Sequence, residues 1–284
     1  MVQARLNAFP SDFHYDGRFP IDLGAAPAAT PPMFNSPMTE VRDARPLQAA
    51  AASPAAFFER YGFVLLQHDT QVRDWDRDVQ SVYAGEVETL IREQLLPGRG
   101  VAMSPGASLA RRGRGTDNDY AGGVHQDCGL SVEDYQQLVG AFASEDAARG
   151  WRYGYDRDGV EGFMMLDFWR PTQMSEALRH MPLTVCDPES VAIEDIVPTE
   201  VSGIAARGVH QMCVRANPSQ LWYYYPGMTT GEVLVFKLYD NRKSDAEPRL
   251  RSCFHTAFAD PGTPDDAEPR QSCEYRVGLY LLKA

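Results

Sequence analysis

The sequence predicts a mainly β fold with flanking helices, a double-stranded β-helix of the jelly-roll, cupin-like kind. Two observations point there. From about residue 160 the chain breaks into short apolar runs separated by turn residues: Gly162 to Trp169, Leu183 to Cys186, Val209 to Val214, Leu221 to Tyr225, Val233 to Tyr239, Cys253 to Phe258 and Ser272 to Leu282. Many short strands of this kind close into sandwiches and barrels. Ahead of them lie amphipathic segments suited to buttress the outside of a sheet. With 284 residues, 44% of them hydrophobic, the chain is long enough for one well-packed domain.

Residues 1–50 are rich in Pro and Ala, and prolines at positions 20, 27, 31, 32 and 37 forbid long helices. They read as an extended N-terminal arm draped over a jelly-roll domain at 51–284, with a short strand around Val2 to Phe9. A disordered tail is the alternative. Ser53-Pro54 starts a helix as cap and first-turn proline, and Gly62 stops it. Phe63 to Leu66 reads as a buried strand. Thr70 is placed to cap a long helix whose apolar residues Val72, Trp75, Val79, Val82, Leu90, Ile91 and Leu95 keep a helical period until Pro97-Gly98. A Gly- and Arg-rich loop, Ala110 to Gly115, follows, and Ser131 caps a further helix bearing Tyr135, Leu138, Val139 and Phe142. No internal repeat is evident.

The chemistry centres on His125-Gln126-Asp127. A His and an Asp two apart on a strand point to one side while Gln126 faces away. Such a pair with one distant His leaves open positions on a bound Fe(II), the arrangement of non-heme iron oxygenases. His255 is the favoured third ligand because it sits in a strand setting directly before the loop to the last strand. His210 is the alternative metal ligand: Gly208 to Cys213 nearly copies Gly123 to Cys128, with Met212 where Asp127 stands. On the last strand, Arg270 and Ser272 share a face with Glu274 and Arg276. A guanidinium with a hydroxyl two residues on suits the far carboxylate of a dicarboxylic keto acid, although an ion-paired, solvated strand would use the same residues. Lys237, Tyr239, Tyr224, Trp169, Arg170 and Arg276 are candidate pocket residues, with core packing as the alternative for the aromatic ones. Arg111, Arg112 and Arg114 are candidates for a lid over the substrate, or else part of a flexible loop.

The 27 basic and 39 acidic residues give a net charge of −12, which argues against nucleic acid and anionic membrane surfaces as partners. An anionic cosubstrate therefore needs a local positive site. No stretch approaches the roughly 20 apolar residues of a membrane span, and no leader pattern opens the chain, so a cytoplasmic protein is expected. The five cysteines are scattered, without zinc-knuckle spacing, and read as small buried hydrophobes.

With these residues assembled, the chain resembles the CmcJ/NvfI-like family of Fe(II)/2-oxoglutarate-dependent oxygenases, which includes AsaB-like and fungal gibberellin desaturase-like members. The match is carried by Val124 to Asp127, Phe168-Trp169-Arg170-Pro171, Pro182 to Asp187, Trp222 to Pro226, Phe236 to Asp240, His255 to Phe258 and Pro269 to Arg276, covering the chain from about residue 55 to its end. The chain departs from the family pattern at Gln220, where relatives often carry a His before the Trp-Tyr-Tyr run. The resemblance implies a jelly-roll dioxygenase that uses Fe(II), 2-oxoglutarate and dioxygen to hydroxylate, desaturate or otherwise oxidise a small molecule, often in secondary metabolism. Two rival readings are a 2-oxoglutarate-independent iron oxidase and a non-catalytic helper subunit on the same fold. A homodimer is an admissible assembly.

Overall fold

The structure is a computed structural model, and it describes residues 1–24, 37–113, 120, 122–247 and 249–283. In chain order the first elements are β1 (Val2–Arg5), β2 (Phe19–Asp22), β3 (Met38–Asp43), α1 (Arg45–Ala49), α2 (Pro54–Tyr61) and β4 (Phe63–Gln67). Then come α3 (Ala84–Leu90), β5 (Val101–Met103), β6 (Ser108–Gly113), α4 (Val132–Phe142), α5 (Glu145–Asp156) and β7 (Val160–Pro171). The remainder is β8 (Leu183–Cys186), β9 (Ile196–Ser202), β10 (Val209–Val214), β11 (Trp222–Tyr224), β12 (Glu232–Arg242), β13 (His255–Ala257) and β14 (Gln271–Leu282).

These strands form two layers, consistent with the jelly roll expected from the sequence. One is an antiparallel sheet in the order β4-β12-β7-β14-β5, with β6 pairing β14 beyond β5. The other is built from a five-stranded sheet, β1-β3-β11-β8-β13, and a three-stranded sheet, β10-β9-β2. The His-x-Asp segment joins these two pieces, because His125 bridges His255 of β13 and Gln126 bridges Met212 of β10. The near-copy at 208–213 is therefore a neighbour in the sheet.

Side chains alternate across the strands, so register decides which residues face the second layer. Opposite pairs Arg276 and Asp167, Glu274 and Trp169, and Ser272 and Pro171 share one face of β14 and β7. Leu234 and Phe236 of β12 continue it. This is the inner face, since the Phe236 ring lies 4.8 Å from that of His255 in the other layer. The outer face carries Phe168, Arg170, Cys273 and Tyr275, and the helical segment covers it: Tyr83 packs on Tyr275 at 5.3 Å. The main core joins both layers, combining Phe63, Trp169, Leu234 and Phe236 with Val185 and Tyr223.

Several elements match their sequence signals. Ser53 accepts the N–H of Ala56 at the start of α2, and Gly62 ends that helix with φ +74°. Ser131 and Asp134 cap α4 reciprocally. Elsewhere the structure departs from expectation. The helix expected from Thr70 begins only at Val79, as a wide π-helical turn leading into α3 and a second such turn over Ile91–Leu95. The reason is local: Asp78 accepts the N–H groups of Arg73 and Asp74 at 3.0 and 2.9 Å, and Thr70 bonds Glu86 at 2.6 Å, so side chains close a compact loop before the helix. The expected loop at 110–115 is strand through Gly113, because the long β14 offers an edge that β6 fills. The N-terminal residues also do more than drape: β1, β2 and β3 are sheet members, with β3 parallel to β11 and β2 parallel to β9.

Candidate metal centre

Backbone pairing brings the two imidazoles together. His125 and His255 exchange both backbone hydrogen bonds, at 3.2 and 2.9 Å, which sets their side chains opposite one another on one face. Their rings are 4.4 Å apart. Asp127, two residues on, returns to the same side, and one ligand atom from each of His125, Asp127 and His255 lies within 4.8 Å of the others. Each Nδ1 is set against a backbone carbonyl, His125 against Gly123 at 2.8 Å and His255 against Cys253 at 3.2 Å. That contact assigns the proton to Nδ1 and leaves each Nε2 lone pair for the cluster. Behind the segment, the buried Gln126 amide donates to Ser252 Oγ at 2.6 Å and to the Leu238 carbonyl, and accepts the Cys128 N–H at 3.1 Å. Sequence reasoning recognised only that Gln126 faces away; the clamp depends on residues more than a hundred positions later.

Burial alone would push the Asp127 carboxyl up, but Arg276, followed by His125, His255 and Arg112, outweighs it and holds the group down at about 2. Burial, followed by the neighbouring His125, pushes His255 down to about 4. Asp127 is thus held as a carboxylate and His255 as a neutral imidazole, donors of the deprotonated kind a divalent cation requires. Two nitrogens and one oxygen on one side fit ferrous iron with open positions.

The two arginines on the β14 face differ sharply. Arg276 is enclosed by carboxylates: Asp127 at 2.9 Å, Glu274 at 2.8 Å and Asp167 at 3.5 Å. Arg270 is 1% exposed and meets no carboxylate within ion-pair distance among the described residues. Its Nη1 donates to the Met181 carbonyl at 2.5 Å, and its guanidinium lies over the rings of Tyr120 and Trp169 at 4.2 and 5.5 Å. Burial lowers it to about 10, whereas its carboxylates raise Arg276. Arg270 Nε and Ser272 Oγ are both buried without a hydrogen-bond partner. Buried donors of this kind are costly unless a ligand answers them, and a carboxylate fits both.

The Arg270 backbone is held closely too. Tyr120 donates to its carbonyl at 2.8 Å, and a Cβ at Gly113, where φ is +104°, would stand 1.9 Å from that same carbonyl oxygen. Gly113→Ala is therefore expected to lower stability by about 1–3 kcal/mol, readable as a reduced denaturation midpoint; an unchanged midpoint would mean the close approach is not rigid.

Other candidate residues lie elsewhere. Arg170 falls on the outer face, donating to the His68 carbonyl at 2.9 Å and packing over Trp75 and Tyr83, which does not fit a pocket role. Lys237 pairs with Asp240 at 2.9 Å, and Tyr239 stacks on Tyr135 at 4.9 Å within a separate cluster that includes residues of α4 and α5. Tyr224 packs on Phe258 in the cluster under the N-terminal strand. His210 stands 2.9 Å from Asp134, which Arg18 also meets at 2.6 Å, so its partner is a helix-capping carboxylate. Arg111 reaches Asp76 at 2.8 Å, and Arg112 donates to Glu274 at 3.0 Å. Arg114 lies outside the described residues. Gln220 donates to the Arg215 carbonyl at 2.8 Å, supporting a loop. Asp167 and Glu274 are the inner-face acids that sequence reasoning did not select as site residues; their alternation with Trp169 and Arg276 was the available signal.

A jelly roll with two histidines and an aspartate gathered on one wall is the frame of non-heme iron oxygenases. The chain belongs to the family described as the oxidoreductase/YMDC permease-like domain, whose model matches residues 35–279. It is 33% identical over 139 residues to hydroxylase/desaturase efuI of Hormonema carpetanum, a match covering 45% of this chain and 43% of that protein. Aspirochlorine biosynthesis protein N of Aspergillus oryzae is 32% identical over 118 residues, covering 41% of this chain and 47% of that protein. The chain thus spans under half the length of these two relatives. The Fe(II)/2-oxoglutarate-dependent dioxygenase nvfI of Aspergillus novofumigatus is 27% identical over 203 residues, covering 71% and 67%. A solved structure of the iron and alpha-ketoglutarate-dependent endoperoxidase NvfI superposes with a TM-score of 0.68 at 21% identity, covering 99% of this chain and 98% of that one, a shared fold. Among the described residues no helix is long and apolar enough to cross a membrane.

Proposed function

We propose that the chain is an Fe(II)/2-oxoglutarate-dependent dioxygenase that hydroxylates, desaturates or otherwise oxidises a small-molecule metabolite in natural-product biosynthesis. The observation that carries this reading is the convergence of His125, Asp127 and His255 on the inner face of a jelly roll whose β14 presents an uncompensated Arg270 and Ser272. The names of the relatives support it.

In this reading His125 Nε2, Asp127 and His255 Nε2 hold Fe(II), while Arg270 and Ser272 bind the far carboxylate of 2-oxoglutarate. When bound, the metal would activate dioxygen, the oxidant, and 2-oxoglutarate would supply two electrons as it is converted to succinate and carbon dioxide, leaving two to come from the substrate. The chain's own residues orient and exclude water: Trp169, Leu234 and Phe236 make the inner wall apolar, and the backbone carbonyls of Gly123 and Cys253 keep each imidazole in its ligating tautomer. Residues 51–284 would form the catalytic unit, with 1–50 completing its sheets. The protein would act in the cytoplasm as a monomer or homodimer, with no nucleic-acid or membrane partner.

The test is turnover of a small-molecule library with Fe(II) and 2-oxoglutarate, followed as succinate. Succinate formed in step with oxidised product is expected. Product without succinate would point to a keto-acid-independent oxidase, and absence of both iron uptake and turnover to a helper subunit.

A further inference from the structure

We propose that Arg276 is a positioning residue for the metal centre: held between Glu274 and Asp167, its guanidinium pairs with one oxygen of Asp127 and leaves the other toward the His125 imidazole. This rests on the metal reading above and assigns Arg276 a task other than substrate or cosubstrate binding. The two oxygens of the carboxylate have different neighbours. Asp127 Oδ2 is in ion-pair contact with Arg276 Nη2 at 2.9 Å, without a hydrogen bond, while Oδ1 is 3.4 Å from His125 Nε2. Arg276 is itself fixed from behind, by Glu274 Oε2 at 2.8 Å and by Asp167 Oδ2 facing its Nε at 3.5 Å. Glu274 in turn accepts a 3.0 Å hydrogen bond from Arg112 of β6.

The chain of charges Asp127, Arg276, Glu274, Arg112 runs from one layer of the jelly roll to the edge of the other. It is the only ion-paired link to Asp127 from the β14 sheet among the described residues. The arrangement answers a structural need. Asp127 follows the last bridged residue, Gln126, and belongs to no strand, so backbone pairing does not orient its side chain. A carboxylate free to rotate would present either oxygen or both; a guanidinium bound to one leaves a single-oxygen ligand and keeps positions open on the metal. An arginine paired with Asp127 and Glu274 is also a poor anchor for an added anion, unlike Arg270, which meets no carboxylate within ion-pair distance among the described residues.

The experiment is Co(II) titration of the purified full chain, followed by calorimetry and by the visible absorption bands of the bound ion, alongside thermal unfolding of the apoprotein. Arg276→Gln is expected to weaken Co(II) binding about 10- to 100-fold and to change the band pattern, and Arg276→Lys to recover part of the affinity. Glu274→Gln covers the case in which Arg276→Gln does not fold. It leaves the arginine in place but loosens it, and is expected to weaken Co(II) binding by up to about tenfold. Wild-type affinity and spectrum in a folded Arg276→Gln or Glu274→Gln chain would overturn the positioning role alone. A wild-type chain that takes up no Co(II) would overturn the metal site, and this inference with it.

Discussion

Replacing His125 with alanine is expected to abolish Fe(II) binding and succinate formation while leaving a folded protein. The effect should exceed the roughly 10- to 100-fold that loss of a supporting partner costs, because a donor atom itself is removed. His125 is the most diagnostic of the three residues. Its side chain keeps 21% of its exposure, so truncation opens space toward solvent and leaves no sealed cavity. His255 is 5% exposed and packs on Phe236 at 4.8 Å, so its loss also disturbs the core. Asp127 is more entangled still: removing it takes away one of the acids that offset the buried Arg276, so some loss of stability is expected with it. Loss of turnover in Asp127→Ala would thus mix metal loss with instability, whereas in His125→Ala it would not. The check is Fe(II) titration with succinate assay and a denaturation curve for each variant. A His125→Ala chain with wild-type metal affinity and turnover would defeat the assignment.

The fold was largely legible because its strands are strongly apolar runs bounded by turn residues. The expected segments at Leu183 to Cys186 and Val209 to Val214 coincide with β8 and β10, and Ser53 and Ser131 cap helices as their side chains allow. What failed was what depends on distant partners. β6 contains Arg111 and Arg112 and reads as a loop until β14 supplies an edge to pair with. The Thr70 segment keeps a helical period in Val72 and Trp75, yet both residues are buried from a loop that Asp78 and Glu86 close by side-chain hydrogen bonds. Similarly, Lys237 shares a strand with the core residues that reach the centre but alternates away from Phe236, while Tyr239, beyond the irregularity in the pairing with β7, stacks on Tyr135 of α4. The sequence shows which residues can bind a metal or an anion; only register shows which of them face the same space.

Register also explains how an acidic protein would retain an anion. The net charge of −12 repels a dicarboxylate in solution, but the field at the β14 face is set by local pairing. Arg276 and Arg112 are matched by Asp127 and Glu274, which leaves Arg270, among the described residues, as the buried cation without an ion-pair partner on that face.

Arg270→Met is therefore expected to do two things that pull in opposite directions. The KM for 2-oxoglutarate should rise by about 100-fold, since hydrogen bonds to a charged group contribute about 1.5–3 kcal/mol and the fork makes more than one. The cosubstrate-free protein should lose no stability and gain some, because methionine keeps much of the apolar stem against Tyr120 and Trp169 while removing a buried charge that no ion pair offsets among the described residues. Arg270→Lys should fall between, keeping the charge but losing the planar fork. Ser272→Ala, which deletes one neutral hydroxyl, should raise KM by only about two- to tenfold. Metal affinity should be untouched in all three, in contrast to the Arg276 variants. Thermal unfolding checks both halves at once: added 2-oxoglutarate should raise the midpoint of the wild type by ligand linkage but not that of Arg270→Met. If Arg270→Met unfolds at a lower temperature than the cosubstrate-free wild type and still responds to 2-oxoglutarate, Arg270 is a structural residue and the anchor must lie elsewhere.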